Sequence, residues 1–279
     1  MATGRSIDHV VLAVRDLDRA ARTYEALGFT LTPRAMHDNR MGTSNRLAQF
    51  AARNFLELLE VDRPHTLVRH DFAVCPPVFS FGDHNRMAVN EREGLSTLVF
   101  ATSDARADIA RFAAAGLRTF APFDFQRHAG LPDGTQVTVA FSLAFVHSPE
   151  MAGVGFFTCE NQSQEYFWKP DYQSHANGAS SIAAVYLSSP EPERDARFAG
   201  RMFDGEVKPI SGGYSVACGP SQELRVVTPQ AVAERDSSFA ASPTQAPVLA
   251  GVAVIAREKR ELTPAMEAHG MFIEWIPPA

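Results

Sequence analysis

Two residues able to carry chemistry interrupt segments that are otherwise apolar. His9 lies within the β-branched run at residues 7–14, and Glu57 lies within the run at residues 55–61. Burying an imidazole or a carboxylate among apolar side chains costs free energy unless the group is paired or bound to a metal. Imidazole and carboxylate together suit a divalent ion in an open site, where the ion polarises a carbonyl oxygen. The alternatives are a satisfied core histidine and an ion pair between Glu57 and an arginine such as Arg46.

These residues belong to a unit with the order β-α-β-β-β. The run at 7–14 predicts a strand, Asp16 is a helix N-cap, and Gly28 stands where a left-handed glycine ends a helix. Three more strands are expected around residues 29–34, 45–50 and 55–61. Strand alternation then turns His9 and Glu57 to the inner faces of their strands.

The unit recurs along the chain. The first strands start at residues 7 and 95, a separation of 95 − 7 = 88, and the helix-ending Gly28 and Gly116 are separated by 116 − 28 = 88. Two shorter units follow. We therefore expect an α+β fold of tandem βαβββ modules: two complete modules (6–63 and 94–162) form a cleft-containing half at 1–178, and a partly truncated pair at 179–279 has a structural or oligomerisation role. The connection at 64–94 is expected to be a long loop, either a functional lid or a covering.

Several short motifs together resemble one known family. These motifs are Asp8-His9-Val10-Val11-Leu12, Leu27-Gly28-Phe29, His37 followed by Gly42-Thr43-Ser44-Asn45, Phe55-Leu56-Glu57-Leu58, the segment from Cys159 to Trp168, and His175-Ala176-Asn177-Gly178-Ala179. Over roughly residues 6–180 the chain resembles the glyoxalase-like domain of the vicinal oxygen chelate superfamily. The resemblance implies paired modules around a cleft, with a divalent metal (Fe, Mn, Ni or Zn) held by the first and last strands of each module. His9 and Glu57 match the two ligand positions of the first module.

The second module departs from the family's pattern. The position equivalent to His9 is 9 + 88 = 97, which is Thr97, a poor ligand. Where related sequences often carry a histidine at the end of the last strand, this chain has Asn161, preceded by Glu160. Alternation puts these two neighbours on opposite faces unless a bulge re-aims one of them. The candidate metal ligands are therefore His9, Glu57, Glu160 and Asn161.

Other residues are candidates for catalysis and substrate binding. Glu57 and His37 are the candidate bases, and the candidate substrate-binding residues are Asn45, Arg46, Arg127, Phe157 and His175. Arg127 precedes a turn, so it would either bind an anionic substrate or lie in an exposed loop. His175 would either serve the site or belong to the turn that leads into the third unit.

Composition limits the classes of partner. The formal net charge is −6, and basic residues do not cluster with aromatic ones. Both features argue against nucleic acid as a binding partner. No run of about 18 apolar residues predicts a membrane span, and no secretory signal is visible at the N-terminus. Three widely spaced cysteines without a CxxC pair argue against a disulfide framework. We expect a cytoplasmic homodimer that acts on a small molecule.

Three functions remain open at this stage. The first is a metal-dependent lyase or isomerase acting on a small carbonyl-bearing or phenolic compound. The second is a ring-cleaving iron dioxygenase. The third is a metal-free protein that binds and sequesters a small hydrophobic compound. Fold alone does not choose among them.

Overall fold

The computed structural model describes residues 4–130, 136–240, 246–257 and 260–278, apart from the side chains of 127–130. The helices are α1 (Leu17–Ala26), α2 (Phe81–Glu91), α3 (Ala105–Ala114), α4 (Gln164–Phe167), α5 (Pro192–Phe203) and α6 (Pro229–Arg235). The strands are β1 (Ile7–Val14), β2 (Ala35–Met36), β3 (Ser44–Gln49), β4 (Phe55–Glu60), β5 (Gly94–Thr102), β6 (Arg118–Thr119), β7 (Phe123–Gly130), β8 (Gln136–His147), β9 (Gly155–Asn161), β10 (Ala179–Ser188), β11 (Val207–Ile210), β12 (Gly213–Cys218), β13 (Gln222–Val227), β14 (Val248–Ala256) and β15 (Phe272–Ile276). None of the helices described is both long and apolar enough to span a membrane.

The strands of these described ranges form two mixed sheets. The larger sheet has the order β2-β3-β4-β1-β5-β9-β8-β6, with β7 paired to β8. The smaller sheet has the order β11-β12-β13-β10-β14-β15. In the larger sheet β1 runs parallel to β4 and antiparallel to β5, and β5 runs parallel to β9. The smaller sheet repeats this pattern around β10 and β14, which confirms the predicted tandem βαβββ architecture.

Helix α1 shows why the module folds as its sequence predicts. The Asp16 carboxylate accepts a hydrogen bond from the Arg19 backbone amide, which caps the helix. One face of the helix, including Leu17 and Tyr24, is buried against the sheet. Gly28 follows with a φ of +91°, a backbone conformation that favours glycine. Its carbonyl oxygen accepts a hydrogen bond from the Asn177 amide. This bond connects the end of the helix to the linking segment, residues 162–178 between β9 and β10.

The chain between 29 and 34 differs from the prediction. It forms no strand, and only Ala35–Met36 pairs with β3. Its backbone finds other partners: the Thr30 amide donates to His175 Nδ1, and the Thr32 carbonyl oxygen accepts from Arg46. These hydrogen bonds replace a strand ladder.

The predicted loop at 64–94 also differs, because it contains helix α2. Ser80 accepts from the Asp83 amide at the start of this helix. The pattern of Ser80 followed three residues later by Asp83 is the sequence signal that indicates this N-terminus. The cis peptide bond between Cys75 and Pro76 lies in the chain before it.

Alternation along the strands divides the larger sheet into two faces. Val10, Leu12 and Phe100 belong to a core that also contains Val185 and Trp275 of the smaller sheet. Residues of the opposite face, such as Val11, pack into a second, phenylalanine-rich cluster. The division at 178 into two domains stays a prediction, and the halves it separates share one continuous core.

Candidate functional site

A cavity opens on the face of the larger sheet that carries His9 and Glu57. Its empty space is about 590 Å³, the open mouth included. The polar lining residues are Asp8, His9, His37, Asn45, Glu57 and Asn161. The apolar lining residues are Met41, Leu47, Phe55, Phe81, Phe125, Phe141, Leu143, Phe157, Cys159 and Phe167. His9 and Glu57 therefore converge in one cavity between the first two modules.

Glu57 lies between two imidazoles at the polar end of the cavity. Its Oε2 is 3.7 Å from His9 Nε2, and its Oε1 is 3.5 Å from His37 Nε2. All three side chains are at least nine-tenths buried, with exposures of 5% for Glu57, 7% for His9 and 9% for His37. Buried ionisable groups interact strongly because little solvent screens them. The three side chains therefore form one buried cluster of ionisable groups.

Asp8 fixes the orientation of the His9 ring, and the sequence analysis did not identify this residue. Its Oδ1 lies 2.5 Å from His9 Nδ1, so the other ring nitrogen is turned toward Glu57. The pairing of β1 with β5 shifts register between Ile7 and His9, with Asp8 as the additional residue. A bulge of this kind lets two sequence neighbours line the same cavity. Simple alternation puts Asp8 on the opposite face, so its sequence position carries no signal of this role.

Asn45 connects the second imidazole to the carboxylate. Its Nδ2 is 2.6 Å from Glu57 Oε1 and 3.0 Å from His37 Nε2. On the other side of the ring, His37 Nδ1 is 2.8 Å from Thr43 Oγ1. Among the described residues Asn45 Oδ1 is buried with no hydrogen-bond partner. This network holds His37, which lies outside the strands, next to β3 and β4.

The remaining walls are aromatic. Phe55 stacks on His9 with ring centroids 4.3 Å apart, and Phe157 meets the same imidazole edge-on at 5.8 Å. Phe125 stacks on Phe141 at 5.0 Å. Phe157, predicted as a substrate-binding residue, therefore lies at the cavity. Such offset and edge-on pairs form flat apolar surfaces that suit a planar ring.

Two predicted residues lie elsewhere because strand alternation directs them to the other face. Glu160 Oε2 accepts a hydrogen bond from the Ala105 amide at the start of α3, so its neighbour Asn161 is the one that lines the cavity. Arg46 donates to the Thr32 carbonyl oxygen and pairs with Glu25 of α1 at 3.0 Å. No bulge re-aims either side chain, and neither of them lines the cavity.

His175 is placed in a structural role. Its Nδ1 accepts from the Thr30 amide, and its Nε2 is 2.8 Å from the Gln49 carbonyl oxygen. Burial lowers the pKa of this imidazole. Both ring nitrogens are thus used to fasten the linking segment to the first module, away from the cavity. The side chain of Arg127 lies outside the described residues.

The donor atoms at the cavity do not fit the two-module metal site that the resemblance implied. Across the described residues, no three His, Cys, Asp or Glu side chains stand together in an arrangement that holds a metal ion. The wall from the second module offers the Asn161 amide and the Cys159 thiol, whose pKa burial raises well above its usual value. In the first module the amide NH₂ of Asn45 is inserted between His37 and Glu57.

The smaller sheet does not repeat the site. Gly205 and Gly270 of the last two modules stand 205 − 28 = 177 and 270 − 28 = 242 residues after Gly28, which puts Tyr186 and Gly251 at the position equivalent to His9. The Tyr186 hydroxyl hydrogen-bonds to Glu274 and Arg225. Gly251, at the corresponding position of the fourth module, lies directly under the Phe272 ring. Ala184, Tyr186 and Phe272 belong to an apolar cluster on this face, and Tyr186 also lines a separate pocket with Arg225 and Arg235.

Comparison with known proteins agrees with this fold. A family model described as a glyoxalase-like domain matches residues 7–202. A hypothetical protein from Staphylococcus aureus has a similar structure, with a TM-score of 0.74, 14% identity, and coverage of 98% of this chain and 99% of that one. A 4-hydroxymandelate synthase variant from Streptomyces coelicolor matches with a TM-score of 0.52, 14% identity, and coverage of 92% and 72%. A fusion of a xylose isomerase-like TIM barrel with a 4-hydroxyphenylpyruvate dioxygenase matches with a TM-score of 0.51, 14% identity, and coverage of 91% and 37%.

A search of curated protein sequences found no match. At 14% identity these structural similarities show the fold alone. The family model covers well over half of the chain. This chain therefore belongs to the glyoxalase-like domain family.

Proposed function

We propose that the chain is an enzyme of isomerase or lyase type that transfers a proton on a small aromatic carbonyl or phenolic compound. The observation that carries this proposal is the Glu57 carboxylate, which lies within 3.7 Å of two imidazole nitrogens at the polar end of an aromatic cavity. A buried carboxylate next to imidazoles is a common arrangement for general acid–base catalysis.

The chemistry uses the residues of the site directly. Glu57 removes a proton from the carbon next to the substrate carbonyl, and the electron pair moves to the carbonyl oxygen. His9, with protons on both Nδ1, which faces Asp8, and Nε2, donates a hydrogen bond from Nε2–H to that developing oxyanion. Return of the proton to a different carbon, or departure of a leaving group, completes an isomerisation or an elimination. Asp8 holds the His9 ring in position for this exchange.

Proton exchange in D₂O tests the proposal without knowledge of the natural substrate. We would incubate the protein with a panel of small aryl ketones and phenols and follow replacement of C–H by C–D with NMR. We expect exchange with some members of the panel and a loss of about 100-fold or more in Glu57→Gln. The control is Glu91→Gln, the same change at an exposed glutamate of α2. Exchange that survives in Glu57→Gln would refute the role of this carboxylate.

The same preparations separate the alternatives. A ring-cleaving iron enzyme would consume oxygen with a catechol and contain iron by elemental analysis, and the iron would be lost in Glu57→Ala. A sequestering protein would bind panel members tightly, show no exchange, and keep its affinity after chelation. Its supporting observation is the aromatic wall, which includes six phenylalanines of the described lining.

A further inference from the structure

We propose that this cavity takes an uncharged aromatic compound and rejects the corresponding carboxylate or phosphate. The inference deepens the proposed function, since it concerns the substrate of the same site. It starts from the charges of the lining: Asp8 and Glu57 are carboxylates, and no lysine or arginine is among the lining residues that the structure describes. An anion that enters would therefore meet two carboxylates at the polar end.

Two described arginines beside residues of the cavity are engaged outside the lining. Arg40 pairs with Asp38 at 3.0 Å, and its guanidinium lies over Phe123. Arg63 pairs with Asp62 and donates to the carbonyl oxygens of His37 and Thr43. Neither guanidinium lines the cavity. The sites that recognise carboxylates and phosphates usually present an arginine fork or a free helix N-terminus.

The N-terminus of α2 does not take that role. Phe81, its first residue, lines the cavity with an aromatic ring. The Asp83 amide donates to the Ser80 hydroxyl, and the Asp83 carboxylate occupies the same first turn. Asp83 also pairs with Arg86 at 2.8 Å. The first turn of α2 thus already holds an anionic group of the chain, the Asp83 carboxylate.

The polar end could not compensate an anion by charging its imidazoles alone. The His9 ring already has Asp8 on one nitrogen and Glu57 near the other. His37 stands next to the same Glu57 carboxylate. A protonated imidazole here would first balance these carboxylates, so a bound anion would remain unpaired. Like charges brought together in a water-poor site cost several kcal/mol, which corresponds to a loss of affinity of about 100-fold or more.

Calorimetric titration with matched ligands tests this inference. The probes are acetophenone against benzoate, and phenylacetone against phenylacetate, which keep the ring and change the charge. We expect each ketone to bind at least about 100-fold more tightly than its carboxylate partner. Equal or tighter binding of the carboxylates would overturn the inference, and so would the failure of both ketones to bind.

Two variants keep the test independent of catalysis. Glu57→Gln and Asp8→Asn each remove one negative charge with little change in shape. Each should reduce the ratio of ketone affinity to carboxylate affinity by about 10-fold. Glu91→Gln should leave the preference unchanged. If the ketones bind selectively but show no proton exchange, the proposed reaction fails while the substrate class stands. If exchange occurs on a carboxylate substrate, the substrate class fails while the proposed reaction stands.

Discussion

Asp8 and His9 are neighbours in a strand, yet both side chains line the same cavity. The bulge in β1 makes this possible, and the contact of 2.5 Å between Asp8 Oδ1 and His9 Nδ1 selects which ring nitrogen is presented to Glu57. A carboxylate that orients an imidazole acts through that imidazole, as orienting groups do in other catalytic sites. In the proposed reaction Asp8 is therefore a positioning residue.

Removal of the Asp8 charge tests this role. Asp8→Asn should slow the proton exchange by about 10- to 100-fold, because the His9 ring loses its fixed orientation. The thermal midpoint should change little, since Asp8 is not part of the apolar core. The control Asp171→Asn changes an exposed aspartate. Exchange rates that are equal in the two variants would remove Asp8 from the account.

At the level of the elements, the fold of each module depends on the turn that follows its helix. Gly28 and Gly116 occupy equivalent positions after α1 and α3, with φ values of +91° and +72°. A Cβ at Gly28 would come within 3.0 Å of the Asn177 backbone nitrogen, whereas a Cβ at Gly116 would meet nothing within 4 Å. The two positions therefore share a conformational demand and differ in packing.

This difference predicts unequal effects of the same substitution. Gly116→Ala should lower the free energy of unfolding by about 1 kcal/mol through backbone strain alone. Gly28→Ala should lower it by at least about 1 kcal/mol more, because the methyl group also pushes against the linking segment. Urea unfolding of the two variants measures both values. Equal losses would mean that the contact with Asn177 contributes nothing.

Helix α2 supplies a pH-dependent contribution to stability. His84 is buried, its Nε2 lies 3.0 Å from the Ser96 carbonyl oxygen, and burial lowers its pKa to about 4. His70 and His147 also have lowered pKa values because of burial, and Asp83 opposes the shift of His84. The unfolded chain binds a proton near pH 6.5, but the folded chain keeps His84 neutral until about pH 4.

Stability should therefore fall as the pH decreases from 6.5 toward 4, by up to about 1.4 kcal/mol per pH unit for this one imidazole. Urea unfolding at pH 7 and pH 5.5 measures the slope. His84→Gln keeps an N–H donor and removes the titrating imidazole. The loss in free energy of unfolding between pH 7 and pH 5.5 should therefore be smaller in this variant by about 1 kcal/mol. An unchanged slope would assign the pH dependence to other groups.

The sequence predicted most of the elements and the centre of the site. Periodicity and the repeat of 88 located both complete modules, and His9 with Glu57 marked the cavity. Asp8 escaped because a bulge breaks the alternation rule. The predicted site roles of Glu160 and Arg46 were wrong for the opposite reason. Regular alternation places both side chains on the face opposite the cavity, where they form hydrogen bonds. Strand β11 was missed, since a short edge strand of mostly exposed residues shows little hydrophobic pattern.

For the whole molecule, the smaller sheet supports the face of the larger sheet that lies opposite the cavity. Phe100 of β5 stacks on Phe203 of α5 with centroids 4.2 Å apart, and Phe29 stacks on Trp275 of β15 at 5.7 Å. These contacts belong to the core that both sheets share. The first two modules form the cavity. The last two modules pack against the opposite face of the same strands.

A chain that ends at residue 178 should therefore lose its fold. The truncation would expose core residues such as Val10 and Phe100, which are fully buried in the intact protein. Exposing several such side chains costs about 1.5–3 kcal/mol each, more than the net stability of most domains. A poorly dispersed NMR spectrum of the 1–178 fragment would agree with this expectation. A folded fragment with its ketone affinity intact would show that the second half is dispensable.

A crystal structure of the protein with bound acetophenone tests the central claim most directly. We expect the ketone oxygen within hydrogen-bonding distance of His9 Nε2, the methyl group beside the Glu57 carboxylate, and the ring between the phenylalanine walls. A ligand bound elsewhere, or one whose methyl group points away from Glu57, would contradict it.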